Sequence, residues 1–367
     1  SALHWINLGG MVIILAVGLQ YLTYEITGAF PQSLRSFQAV VSASGRLYDG
    51  RATGLAFEPS WLAHQLNILY IPLWLGFTAS NESVYQKRLF GKIPYEAILL
   101  AGGIISLFLS FSRIGWISVI VVFTYLLFRL ANSVINRHLV RREKTKGKKY
   151  TKKQHFFLKL LLWLLLLIIL LLLVFGAGLV MRRLDPRMEQ LFNVTLLKQY
   201  GIMGWASRLS FAERIIYWQS AFNVFVDYPF FGSGLGVAGY YFPETLPSFG
   251  YQLPEILSVL LYDSFIPNAK NLWARLLAET GIVGFSVFVA WVVEHWRNAK
   301  AVEKRKQSGL FTAMGLAGQL LIIALIVEGF SLDTFGLPYY WVGLGLIVAS
   351  WRAKLEHSDS KLKRKSA

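Results

Sequence analysis

Apolar positions in this chain form long unbroken runs rather than the three-to-four-residue stripe of a water-soluble helix. Eight such runs lie at about 5–24, 61–79, 95–111, 114–130, 156–180, 271–296, 309–329 and 338–351. A helix needs about 20 mostly apolar residues to cross a bilayer, so the pattern predicts an all-α, polytopic membrane bundle with about eight spans. The run at 156–180 is almost pure leucine and isoleucine and is expected to face lipid. One long polar and aromatic stretch, 181–270, interrupts the series. It is too long and too aromatic for a linker and predicts a folded helical cap. The expected organisation is a first bundle part over 1–180, a cap loop over 181–270, a second bundle part over 271–351 and a basic tail over 352–367.

Within the cap, Phe211, Ile215, Trp218, Phe222 and Phe225 recur at 4-3-4-3 spacing. That spacing predicts an amphipathic helix stopped by Asp227-Tyr228-Pro229. A second short amphipathic piece is expected around 253–263.

Charge then orients the bundle. The formal net charge is +17, which elsewhere would suggest nucleic acid, but 24 of the 37 Lys and Arg sort into 81–92, 129–155, 297–306 and 352–367. These alternate with the other loops as the positive-inside rule requires, so they are expected on the cytoplasmic side. The basic run at 141–153 reads as a solvated topology signal that touches anionic lipid. A lipid bilayer, not nucleic acid, is the expected environment. The 25–60 loop, the turn at 112–113, the cap and the 330–337 loop then face outward. The chain has no Cys, which removes disulfides and thiol chemistry. The first apolar run lacks a basic leader and reads as a membrane helix, not a signal peptide.

Candidate chemistry collects on the outward side. Arg51, Arg113, Arg208 and Arg214 lie in or beside those loops, and a guanidinium fork suits phosphate oxygens. Arg113 sits at a two-residue turn between apolar spans, where no solvation or topology argument asks for it. The competing reading pairs these arginines with Glu58 or Asp263, or lets them snorkel to head groups. Among the histidines only His64 lies outward, one turn into the second span; a lone helical His is also commonly a satisfied core residue. Glu58 precedes Pro59, which is ordinary helix-start chemistry or a carboxylate that orients a hydroxyl. Glu279 lies inside an apolar run and has Arg275 four residues back, the spacing of an intrahelical pair. The glycines at 232, 234 and 236 lack a preceding strand and read as a tight turn, not a nucleotide loop. No DxD pair or metal-spaced carboxylate and His cluster occurs outside the cytoplasmic loops, which argues for metal-independent chemistry with no cofactor.

The order of the outward motifs resembles the O-antigen ligase and polymerase superfamily over roughly 45–345. The matching pieces are Arg51 with Gly54, Glu58-Pro59 and Ala63; Ser112-Arg113; Arg214; Asp227-Tyr228-Pro229 with the glycines; and Asn271 with Glu279-Thr280-Gly281. The resemblance implies a membrane glycosyltransferase of the bacterial inner membrane, active on its extracytoplasmic side. Its donor would be a glycan on polyprenyl pyrophosphate, its acceptor a glycan or lipid, and its outer arginines would bind the pyrophosphate. It also implies several helices before the one at 5–24; this chain starts at Ser1 rather than Met, so a missing N-terminal portion is expected.

Ligase-type members carry a His, the proposed base, just before the Asn that opens the late helix. Here Lys270 stands there, which favours a polymerase-like or exopolysaccharide member. The expected site is therefore His64, Glu58 and Asp263 as base candidates in that order, with Arg51, Arg113, Arg214, Lys270, Asn271 and Glu279 on the substrate. A glycan flippase would also show outer arginines, but transporters usually hold charge at mid-membrane and show repeats. A scaffold of an export complex is the third alternative.

Overall fold

The computed structural model describes residues 1–42, 44–85, 88–146, 152–184, 194–208, 211–261, 266–304 and 309–366. All regular elements among them are helical; the extended pairing is limited to isolated bridges at Tyr48–Arg51 and Leu89–Ile93. The chain divides into two compact units, Ser1–Ser118 with Glu213–Ala367, and Val119–Ala212.

In the first unit, α1 (Ala2–Thr27) ends on Gly28 in the left-handed region, whose N–H closes on the Tyr24 carbonyl. Helix α2 (Gln32–Val41) is a short amphipathic piece. Helix α3 (Pro59–Gln65) starts on a proline, whose fixed φ and missing N–H suit a first turn. The chain then passes through a π-turn, Leu66–Tyr70, into α4 (Ile71–Ala79). Pro72 has no N–H to give the Ile68 carbonyl, and beside it the ladder slips one residue, with the Ile71 N–H bonding the Leu66 carbonyl.

Helix α5 (Tyr95–Leu109) and α6 (Arg113–Lys146) follow, separated by a turn in which Phe111 has φ +49°. Later come α12 (Leu272–Lys304), α13 (Gly309–Glu328) and α14 (Pro338–Ser366). Helix α13 is central: it packs on α4, α12, α14 and the π-turn. Small residues allow this, since a Cβ on Gly76 of α4 would lie 2.7 Å from the Ala313 carbonyl oxygen. The core forms where Ile68, Leu272, Leu276, Leu321, Leu325, Tyr340 and Leu344 meet.

The second unit holds the remainder of α6, then α7 (Lys152–Leu184) and α8 (Val194–Arg208), which bends at Gly201. Phe128 and Trp163 stack within it at 4.6 Å.

Four helices are long and apolar enough to cross a membrane among the described residues: α1, the Arg113–Arg137 part of α6, α12 and α13. The expected span at 61–79 is divided by the π-turn, and α5 has only 15 residues. The eight-span count thus rests on sequence, while the all-helical membrane architecture is plain in the fold.

Residues 181–270 are divided between the units at Ala212. From Glu213 on, the segment packs on the first unit. It holds α9 (Ala212–Asp227), the single turn α10 (Phe242–Thr245) and α11 (Pro254–Leu261). The helix ending at Asp227 occurs as its spacing predicts, and so does the short piece near 253. The buried face of α9 is offset from the aromatic spacing. Ile216, Tyr217, Ser220, Ala221 and Val224 are buried, whereas Phe211 and Phe222 are exposed. Ser220 and Ala221 let the backbone approach the core closely.

Candidate functional site

The end of the first unit that carries the α5–α6 turn gathers most of the ionisable groups singled out above. At its centre lies a pair without solvent. His64, on the last turn of α3, is 2% exposed, and its Nδ1 contacts Glu328 Oε2 at the end of α13, which is 0% exposed. The second oxygen, Glu328 Oε1, accepts from Asn67 Nδ2 at 2.6 Å, and the same amide donates to the Gly115 carbonyl at 2.9 Å. His64 and Asn67 are three residues apart, so they share a helix face. The Gly115 carbonyl belongs to the first turn of α6, two residues after Arg113.

Above this pair, the loop from α13 to α14 carries Ser331 and Asp333. Arg214, in the first turn of α9, donates from Nη1 to Ser331 Oγ at 3.0 Å. Arg275 donates from Nε to Glu279 Oε1 at 2.9 Å and from Nη1 to the Asp333 backbone carbonyl at 2.5 Å. The Leu272 N–H bonds the Gly329 carbonyl at 2.7 Å, which ties the start of α12 to the same loop. Burial raises the Asp333 carboxyl above its ordinary range, while Arg275, His64, Arg214 and Lys270 act in the opposite direction. Asp333 thus lies within electrostatic reach of four basic groups, three on α3, α9 and α12 and the fourth, Lys270, two residues before α12.

The other two arginines flank the α5–α6 turn. Arg51 donates from Nε to the Ser110 carbonyl at 3.3 Å, and Arg113 opens α6 three residues later. The Arg51 loop is held by a polar clamp. Gln20 of α1 donates to the Gly54 carbonyl at 2.7 Å, and its Oε1 accepts from the Thr53 and Gly54 N–H groups at 3.0 and 2.9 Å. The Ala52 N–H bonds the Leu109 carbonyl at 2.9 Å. Glu58 caps the start of α3 by position and accepts from Ser60 Oγ.

Helix α12 is broken at Gly281, where φ is +62° and ψ −169°. The turn after Asp227-Tyr228-Pro229 inserts at the break. Ser233 N donates to Ala278 O at 2.9 Å, Gly234 N to Glu279 O at 3.0 Å, Ile282 N to Pro229 O at 2.8 Å and Val283 N to Phe230 O at 3.2 Å. The backbones approach so closely that a Cβ on Gly232 would lie 2.3 Å from the Glu279 carbonyl carbon. The two glycine-bearing motifs are therefore one joint, and it fixes the part of α12 before the break, which carries Arg275 and Glu279.

Asn271 Oδ1 accepts from the Trp273 and Ala274 N–H groups at 2.9 and 3.1 Å, an N-cap of α12. Lys270, at φ +46°, pairs with Glu255 of α11 and lies 4.8 Å from the centroid of the Tyr217 ring. Burial pushes the Tyr217 phenol above its ordinary range, with Glu255 and Glu213 adding to the effect. The ring stays neutral beneath the ammonium.

Among the expected residues, then, Arg214 hydrogen-bonds the Ser331–Asp333 loop directly, Glu279 holds Arg275, which also bonds it, and His64 and Lys270 act on Asp333 electrostatically. Arg51 and Arg113 stand at the adjoining turn, linked to the pair through Gly115 and Asn67. Glu58 makes its hydrogen bond locally, and Asn271 is engaged in capping. Asp263 lies outside the described residues, as does the side chain of Arg208. Sequence reasoning passed over Glu328, Asn67, Ser331 and Asp333, and it treated Arg275 only as a partner. Glu328 did carry a signal: it is a carboxylate closing the apolar run 309–327.

No curated protein matches this chain. The sequence pattern of the family described as O-antigen ligase matches residues 97–289, just over half of the chain.

Proposed function

The chain belongs to the O-antigen ligase family, and from that premise we propose that it transfers or polymerises a glycan from a polyprenyl pyrophosphate on the extracytoplasmic face of a bacterial inner membrane. One observation carries the reading: Arg214, Arg275, Lys270 and His64 act on the Ser331–Asp333 loop, with Arg51 and Arg113 at the next turn. Such density of basic groups at one end of a membrane bundle suits a doubly charged leaving group. Within the first unit the described residues of the basic segments 81–92 and 297–304 lie at the far ends of α4 and α12 from that loop, which supports the outward orientation.

In this reading the acceptor hydroxyl oxygen attacks the anomeric carbon of the donor. The bond from that carbon to the pyrophosphate oxygen breaks, and the lipid pyrophosphate leaves as an anion among the arginines. The hydroxyl proton goes to His64 Nε2, which makes no hydrogen bond among the described residues. Glu279 orients Arg275, and Asn271 holds the start of α12, whose positive dipole end adds to the field. No step calls for a metal. Lys270 in place of a His supports a polymerase-like or exopolysaccharide member over a lipid A-core ligase, since an ammonium is a better phosphate partner than a base.

Purified protein in nanodiscs, given a polyprenyl-pyrophosphate-linked oligosaccharide, should release free lipid pyrophosphate and lengthen or transfer the glycan. Movement of intact donor across vesicles with no release would favour the flippase alternative instead.

A further inference from the structure

A histidine in a membrane bundle works as a base only if one nitrogen is kept free of its proton. The surroundings of His64 supply that condition. Its Nδ1 faces Glu328 Oε2, and a carboxylate can only accept. The other oxygen of Glu328 is already taken by an amide N–H of Asn67 at 2.6 Å. The Asn67 nitrogen must face this way, because both of its neighbours, Glu328 Oε1 and the Gly115 carbonyl, are acceptors. Asn67 Oδ1 is correspondingly left without a partner. Both N–H bonds of the amide are therefore used, and they lock Glu328 to the first turn of α6. The π-turn Leu66–Tyr70, which carries Asn67, ends two residues before Pro72, whose missing N–H leaves the Ile68 carbonyl without its α-helical donor.

We infer that Glu328 is a positioning residue: it holds the proton on His64 Nδ1, keeps Nε2 as the proton acceptor, and is itself held by Asn67 against the turn that carries Arg113. The inference rests on the glycosyl-transfer reading above and adds to it a carboxylate–histidine–amide relay that runs from α13 through α3 to α6. The physical logic is that of a carboxylate behind an imidazole. It selects the tautomer, fixes the ring plane and stabilises the imidazolium formed when Nε2 takes a proton. A merely structural pair would set the same tautomer, so the loss in kcat and its dependence on His64 are what separate the two roles.

The test uses the full chain in lipid nanodiscs, labelled with ¹⁵N-histidine, with the His64 signal identified as the one lost in His64→Gln. The wild type should show His64 protonated on Nδ1 and bare on Nε2. With a polyprenyl-pyrophosphate-linked oligosaccharide as donor, Glu328→Gln should lower kcat by about 10- to 100-fold with little change in KM. Glu328→Asp should recover part of that loss. In a His64→Gln background, Glu328→Gln should cost nothing more, because the two act as a unit.

A wild-type His64 protonated on Nε2 overturns the inference, and that measurement needs no Glu328 variant to fold. So does an equal loss from Glu328→Gln with and without His64. If the wild type shows the Nδ1 proton yet transfers no glycan, the glycosyl-transfer reading has failed. The relay then loses its catalytic role and remains only a buried pair.

Discussion

Replacing Gly281 with alanine attacks the joint between α12 and the turn after Pro229. The position has φ +62° and ψ −169°, a region that only glycine enters readily, at a cost of roughly 1–3 kcal/mol for other residues. The new Cβ would lie 2.3 Å from the Phe230 carbonyl oxygen and 2.4 Å from its carbon. Those are backbone atoms and cannot rotate away, so the turn must lift off. Lifting it breaks the four hydrogen bonds made by the N–H groups of Ser233, Gly234, Ile282 and Val283. At about 0.5–1.5 kcal/mol net each the four bonds amount to about 2–6 kcal/mol, and with the backbone strain of roughly 1–3 kcal/mol the local loss is on the order of 3–9 kcal/mol.

Hydrogen exchange in detergent or nanodiscs reads this directly. The amides of those four residues should lose about a hundredfold or more of their protection, since about 1.4 kcal/mol corresponds to a factor of ten. Gly232→Ala should do the same, because its Cβ meets the Glu279 backbone at 2.3 Å, and the double variant should be little worse than either. Gly236→Ala is the control: φ is +76°, yet a Cβ there meets nothing within 4 Å, so only about 1–2 kcal/mol of backbone strain applies. Wild-type exchange at Ile282 and Val283 in Gly281→Ala, or equal effects at 236 and 281, would refute the reasoning.

Other expectations follow from the site. Arg113→Ala and Arg214→Ala should each reduce glycan transfer by about 10²–10³-fold, roughly 2–4 kcal/mol, with the fold retained by circular dichroism; wild-type turnover in either removes it from the anion site. Lys270→Arg should keep substantial activity because charge survives, whereas a gain in Lys270→His would make proton transfer the true role of that position. Burial holds the Asp333 carboxyl above its unfolded value. Its stabilising contribution is therefore present below the unfolded pKa and is lost as pH rises through the folded one. The unfolding temperature of Asp333→Asn relative to wild type should accordingly climb from acid to neutral pH, and a decline over that range contradicts the burial argument. Cysteines at Ser248 and Lys146 should label from opposite sides of oriented vesicles; labelling from one side sinks the topology.

The apolar runs were enough to set a helical membrane bundle, and the sorting of Lys and Arg gave an expected orientation for its loops. Local chemistry carried further: Pro59 opens a helix, Asp227-Tyr228-Pro229 closes one, and Arg275 pairs with Glu279 at i, i+4, all as their spacing requires. These are legible because they depend on neighbours a few residues away. The rest depends on partners far along the chain. Glu328 reaches His64 across 264 residues, and Arg214 reaches Ser331 across 117. No periodicity encodes such pairs, and an isolated Glu at the end of an apolar run looks like a boundary until its partner is seen. The glycines at 232 and 281 read singly as a turn and a weak helix position. Only packing makes them one joint, because the absence of two Cβ atoms is what lets two backbones share their hydrogen bonds. Which face of α9 is buried is a question of the same kind. Its spacing marks a helix, but only packing shows that Ile216, Tyr217, Ser220, Ala221 and Val224 turn inward while Phe222 stays exposed, because the partners that cover them lie far along the chain.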